Sequence, residues 1–139
     1  MANISNYLEE ELLDHVFRNA EYATLAAVYC GLVDDVGTET EMEAGTLTNE
    51  ITTYTGNRKA ITFGAPAQVG VAPATKATIK NTGALEFLVM PAVTVKYAIV
   101  CDAATAGNIL YWCPLVAEKT CNAGDTFRIP IDALTLDLA

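Results

Sequence analysis

Serine and histidine are almost missing from this chain of 139 residues: Ser5 and His15 are the only examples. Both fall on a segment that reads as a helix. They are ten residues apart, so helical rise separates them by roughly 15 Å and they cannot form a hydrogen-bonded nucleophile–base pair. His15 lies among polar positions and reads as a surface residue. Basic residues are also scarce, 8 against 17 acidic ones, for a net charge of −9. A phosphate backbone is held by Lys and Arg, so no nucleic-acid partner is expected. An anionic membrane surface is disfavoured for the same reason. No apolar run approaches the ~20 residues needed to cross a bilayer. The opening Met-Ala-Asn-Ile-Ser lacks the basic-then-apolar pattern of a leader, so synthesis in a cytoplasm is expected. Gly-x₄-Gly-Lys and Gly-x-Gly-x-x-Gly loops are absent, which removes the usual phosphate cradles. The cysteines at 30, 101, 113 and 121 have no close Cys-x₂-Cys spacing, which argues against zinc. Asp34, Asp35, Glu39, Glu41 and Glu43 are conceivable Ca²⁺ donors but lack EF-hand spacing. The expectation is a protein with no cofactor, no metal and no catalytic activity.

What is present points to one mainly β domain over residues 1–139, with a helix over about 5–19 and an antiparallel, jelly-roll-like β-sandwich over about 24–139. Ser5 is a suitable N-cap, Glu9, Glu10 and Glu11 suit the positive end of the helix dipole, and Arg18 suits the negative end. Ile4, Leu8, Leu12 and Val16 recur every four residues, with Leu13 and Phe17 beside them, giving one apolar stripe. That stripe packs either on the chain's own sheet or on a neighbouring subunit. Residues 24–33 form a continuous apolar run of the kind found in a strand buried on both faces. Residues 34–50 carry six acidic side chains and no basic one; they read as a loop, with Gly37 and Gly45 as breakers. Residues 56–100 carry five basic side chains and one acidic, Glu86. This asymmetry reads as solvated loops or as complementary patches that steer association.

Several short strands follow at close spacing, the pattern of a sandwich. Residues 64–75 form a long loop of small residues; loops of this length are uncommon and often contact partners. Val69 and Val71 within it, and Leu8, Leu12 and Val16 on the helix, are the candidate contact residues. The clearest element is a hairpin: Val93, Val95, Tyr97, Ile99 and Cys101 alternate with polar or small residues, then 103–107 turn, then a second β-branched and aromatic limb begins at Asn108. With Gly107 at the centre of the turn, Cys101 and Cys113 are expected near one another across the limbs, and Cys113 and Cys121 flank an expected turn near Ala117–Glu118. Adjacent antiparallel strands bring Cα atoms within disulfide range. Cys30, Cys101, Cys113 and Cys121 are therefore disulfide candidates, within or between chains, once the protein has left a reducing cytoplasm. The alternative is that they are buried thiols acting as small apolar side chains.

Three segments, taken in order, resemble a family of small tailed-bacteriophage virion proteins. Residues 3–19, Asn-Ile-Ser-Asn-Tyr-Leu-Glu-Glu-Glu-Leu-Leu-Asp-His-Val-Phe-Arg-Asn, are similar to its opening helix. Residues 101–112, Cys-Asp-Ala-Ala-Thr-Ala-Gly-Asn-Ile-Leu-Tyr-Trp, look like its central hairpin turn. Residues 119–127, Lys-Thr-Cys-Asn-Ala-Gly-Asp-Thr-Phe, and the Leu-rich end at 133–139 resemble its closing strands. The resemblance implies a non-enzymatic virion protein, described in that family as tail-fibre-like or as a decoration of head or neck. Its expected partners are further copies of itself and the capsid, neck or tail proteins. A receptor- or glycan-binding module at a fibre base is the rival expectation, with Tyr54 as the candidate exposed aromatic.

Overall fold

The fold was obtained as a computed structural model, which describes residues 2–138. Those residues form eleven strands and two helices. In chain order they are β1 (Asn3–Ile4), α1 (Asn6–Phe17), β2 (Val28–Asp34), α2 (Glu39–Ala44), β3 (Glu50–Ile51), β4 (Lys59–Ile61), β5 (Ala67–Val69), β6 (Lys76–Lys80), β7 (Leu85–Phe87), β8 (Val93–Cys101), β9 (Ile109–Cys121), β10 (Phe127–Ile129) and β11 (Thr135–Leu138). The largest sheet runs β1-β9-β8-β2-β3, with β4 also on β2; the smaller ones are β10-β7 and β11-β6-β5. Every pairing is antiparallel. The chain is thus mainly β with an N-terminal helix, as its sequence predicts.

The β8–β9 hairpin and β2 form the middle of the large sheet, and both of its faces are covered. On one face Cys30, Leu32, Val95, Ala98 and Val100 share a core with Leu85 and Phe87 of β7, Phe127 and Ile129 of β10, and Leu136 of β11, so the three sheets close over one apolar layer in a sandwich-like arrangement. On the other face Val33, Tyr97, Ile99, Cys101, Ile109 and Trp112 pack with Met42 of α2. A strand covered on both sides needs apolar residues at consecutive positions, and Cys30 to Val33 supply them.

Several expectations of loops and turns need correction: residues 64–75 are not all loop, because they contain β5 (Ala67–Val69). The acidic segment is not all loop, because it contains α2. Thr38 and Glu41 form a reciprocal capping box, and Gly45 closes the helix at φ 69°. No turn occurs at Ala117–Glu118, because β9 runs unbroken from Ile109 to Cys121. The hairpin turn is not centred on Gly107 either. Cys101 pairs with Ile109, so the turn spans 102–108. Asp102 organises it by accepting the Asn108 N–H at 2.7 Å and the Asn108 side-chain amide at 2.9 Å. Gly107 sits at φ 72°, where a Cβ would lie 2.2 Å from that carboxylate, so only glycine fits.

Candidate docking surfaces

Helix α1 is fixed at its start and left uncovered along its outer side. The Ser5 hydroxyl accepts the Leu8 N–H at 3.4 Å and donates to the Ile109 carbonyl at 2.5 Å, while the Ser5 N–H bonds Leu110 O at 3.0 Å. With β1 paired to β9, the helix is anchored to the central hairpin. Leu8 and Leu12 are half-buried and line a groove of about 380 Å³ with Pro66, Ile79, Tyr111 and Leu136. The outer side of α1 is also apolar. Leu13 is 58% exposed, Val16 62% and Phe17 78%, and no residue of α1 is buried. Glu9 and Glu10 are the exposed charges beside them in the first turns.

A wider groove of about 860 Å³ opens along this side, lined by Ile4, Leu12, Leu13, Val16, Phe17 and Leu138. Its wall carries Lys76, paired with Asp137, which also accepts the Thr78 hydroxyl at 2.7 Å. The Lys76 and Thr78 bonds hold the Asp137 carboxyl below its ordinary range. At the C-terminal end Arg18 pairs with Asp14 at 3.0 Å, and exposed His15 lies 2.9 Å from Ala20 O.

A second apolar surface arises from an irregularity in the hairpin. Val95 pairs with Lys119 and Tyr97 with Pro114, so β9 spends five residues where β8 spends two. The surplus bows outward and leaves Val116 fully exposed. Beside it is a groove of about 300 Å³ lined by Leu115, Phe127, Ile129, Pro130 and Leu134. Its charged border is basic in excess. Lys96 pairs with Glu118 at 3.6 Å, Arg128 with Glu86 at 3.5 Å, and Lys119 adds a third cation. Val69 and Val71 lie elsewhere, the first on the open-edged strand β5 and the second in the turn after it, both exposed.

All four cysteines are free thiols. Strand register explains why no pair forms within the chain. Cys101 lies opposite Ile109 and Cys113 opposite Ala98, and they serve opposite faces of the sheet: Cys101 packs with Ile99 and Trp112, Cys113 against the layer of Ala98 and Val100. Cys113 and Cys121 lie on one strand, opposite Ala98 and Val93 of β8, roughly 17 Å apart at the rise of a strand. Cys30 pairs with Val100, with β8 between it and Cys113. The expected intrachain bridges across the hairpin are therefore excluded by geometry. Burial raises every thiol, Cys30 far above its ordinary value and Cys101 up to about 12, so these two are poor nucleophiles.

The remaining polar groups hold the fold. Arg58 clamps Glu50 through two bonds of 2.6 and 2.7 Å and donates to the Ala103 and Ala106 carbonyls at 3.0 and 2.6 Å, tying the hairpin turn to β3. Glu43 accepts the Trp112 indole N–H at 2.7 Å, Glu41 caps α2, and Asp34 accepts the N–H groups of Val36 and Gly37. Tyr54 is buried, not exposed: its ring meets Phe87 edge-on at 5.0 Å, and burial, then Glu50, pushes its phenol up. Buried in this way, it offers no exposed face for a glycan to stack on. Among the described residues no three His, Cys, Asp or Glu side chains are grouped to hold a metal ion.

The family model described as podophage GP4 fiber I protein gp80 matches residues 3–137. The chain belongs to that family of phage fibre proteins. The match covers α1, the hairpin and β11 alike, so the features above lie within the family's extent. It supports a structural role in a tailed-phage virion. No curated protein matches the chain. Among the described residues no helix is long and apolar enough to cross a membrane. The sequence-predicted contact residues Leu8, Leu12 and Val16 come together on α1, whereas Val69 and Val71 do not join them. The sequence signal for the Val116 bow is Pro114 inside a long strand pattern, a residue confined to edge strands and bulges.

Proposed function

We propose that this chain is a non-enzymatic structural component of a tail fibre, docking into the virion through the outer side of α1 and the groove beside it. One observation carries the reading: a capped, anchored helix presents Leu13, Val16 and Phe17 outward and buries none of its residues within the chain. Scattered exposed apolar residues are ordinary, but a contiguous apolar patch beside a groove marks an interaction site. The description of the family as a fiber protein supports the fibre part of this reading. Immunogold electron microscopy of intact particles, with antibodies against this chain, tests the assignment. Gold at the tail supports a fibre component. Gold spread over the head moves the protein to capsid decoration, and unlabelled particles with labelled free protein reject a virion role.

A further inference from the structure

The two apolar surfaces differ in charge and form. One is a groove beside α1 whose exposed charges in the first turns are Glu9 and Glu10, with Lys76 on its wall already neutralised by Asp137. The other is a protrusion, Val116 on the β9 bow, where Lys96 is paired with Glu118 and Arg128 with Glu86, so that Lys119 leaves one net positive charge. The chain as a whole is strongly acidic at −9, so a locally basic border is out of keeping with its surroundings. The residues lining the α1 groove and those lining the Val116 groove do not overlap. One copy can therefore engage through both surfaces at once.

Resting on the fibre reading above, we infer that the partner of the α1 groove is a second copy of this chain, presenting its Val116 protrusion in a head-to-tail contact. Apolar Val116 enters the groove among Leu13, Val16 and Phe17, and the Lys119 cation beside it meets Glu9 and Glu10. Complementary potentials set the register of such contacts, while the apolar centre provides most of the affinity. Pairing two α1 faces in parallel would instead bring the Glu9 and Glu10 carboxylates of both copies together. A head-to-tail contact leaves one surface open at each end, so copies close into a ring or extend as a filament.

The test uses the full chain and two variants at exposed positions, Val116→Asp and Val16→Asp, each checked for wild-type circular dichroism. Wild type is expected to associate in sedimentation velocity, more weakly as salt is raised. Each variant alone is expected to be monomeric, with at least a tenfold loss of association. Mixed, the two are expected to form a 1:1 heterodimer and nothing larger, because each retains one intact surface. Full association of Val116→Asp overturns the inference, as does a mixture that stays monomeric. A wild-type chain that is monomeric at every concentration overturns it too, yet leaves the fibre reading standing if particles carry gold at the tail.

Discussion

Replacing Leu13, Val16 and Phe17 together with serine separates a docking face from a folding core. A fully buried Leu, Val or Phe side chain contributes about 1.5–3 kcal/mol. With 58%, 62% and 78% of these side chains exposed, the buried remainders sum to about 2 kcal/mol of folding stability, an upper value because unfolded chains already bury some apolar surface. Serine costs little more in helix propensity, a few tenths of a kcal/mol at Leu13. A domain of ordinary stability, about 5–15 kcal/mol, survives that loss. The exposed remainders are larger and sum to about 4 kcal/mol, available only when a partner covers them. At 1.4 kcal/mol per tenfold, docking should weaken by about a thousandfold. Urea unfolding of the purified variant is expected to stay cooperative with a modestly lower midpoint. Supplied in trans as the sole source of the protein to a phage deleted for its gene, the variant should be almost absent from purified particles when its peptides are weighed against a wild-type control. Loss of more than about 4 kcal/mol of folding stability would make the face part of the core, and incorporation at the wild-type level would refute the docking argument outright.

Further predictions concern the supports of these surfaces. Arg58→Met strands the Glu50 carboxylate, whose side chain is 18% exposed, and two turn carbonyls; a loss of about 3 kcal/mol in urea unfolding is expected, and one below about 1 kcal/mol contradicts the clamp. For Asp137 the folded pKa is depressed, so its contribution is fully present above the ordinary value of 3.8 and fades as pH falls through the lower folded value. Wild type should then exceed Asp137→Asn in urea midpoint at pH 7 and converge with it in strong acid; an equal gap at pH 7 and pH 2 argues against the Lys76 and Thr78 bonds as its source. Among the thiols, half-buried Cys113 should react first with iodoacetamide in native protein and Cys30 and Cys101 last. After mild oxidation, non-reducing peptide mapping should find no Cys101–Cys113 bridge, and finding one would refute the hairpin register.

The sequence displays most of this fold because its strongest signals are local. Ser5, the following glutamates and the four-residue apolar repeat specify α1, and period-two alternation specifies β8. Register is different, because it depends on how many residues the turn and the bow absorb. Asp102 two-handedly holding Asn108 moved the turn centre away from Gly107, and the surplus at 115–118 kept β9 running where a turn was expected. The first displacement, with the register shift between Val100 and Cys101, places Cys101 and Cys113 on opposite faces; the second leaves Cys113 and Cys121 along one strand. Helix α2 was legible in Thr38-Glu39-Thr40-Glu41, a capping-box pattern hidden within an acidic run between two glycines. The Tyr54 error arose because its polar neighbours suggest a loop, while burial against Phe87 is a tertiary fact. The α1 stripe could be read, but not the side of it that faces outward. That depends on what β9 and β11 leave uncovered.

The central claim is that this chain is carried in the virion as a fibre component. Its most direct test is copy number: peptides of this protein quantified against the major capsid protein in purified particles of the phage that encodes it. A dozen to a few dozen copies per particle, on the order expected for a tail appendage with the closed symmetry usual for protein oligomers, is the predicted result. Complete absence from purified particles would contradict the account.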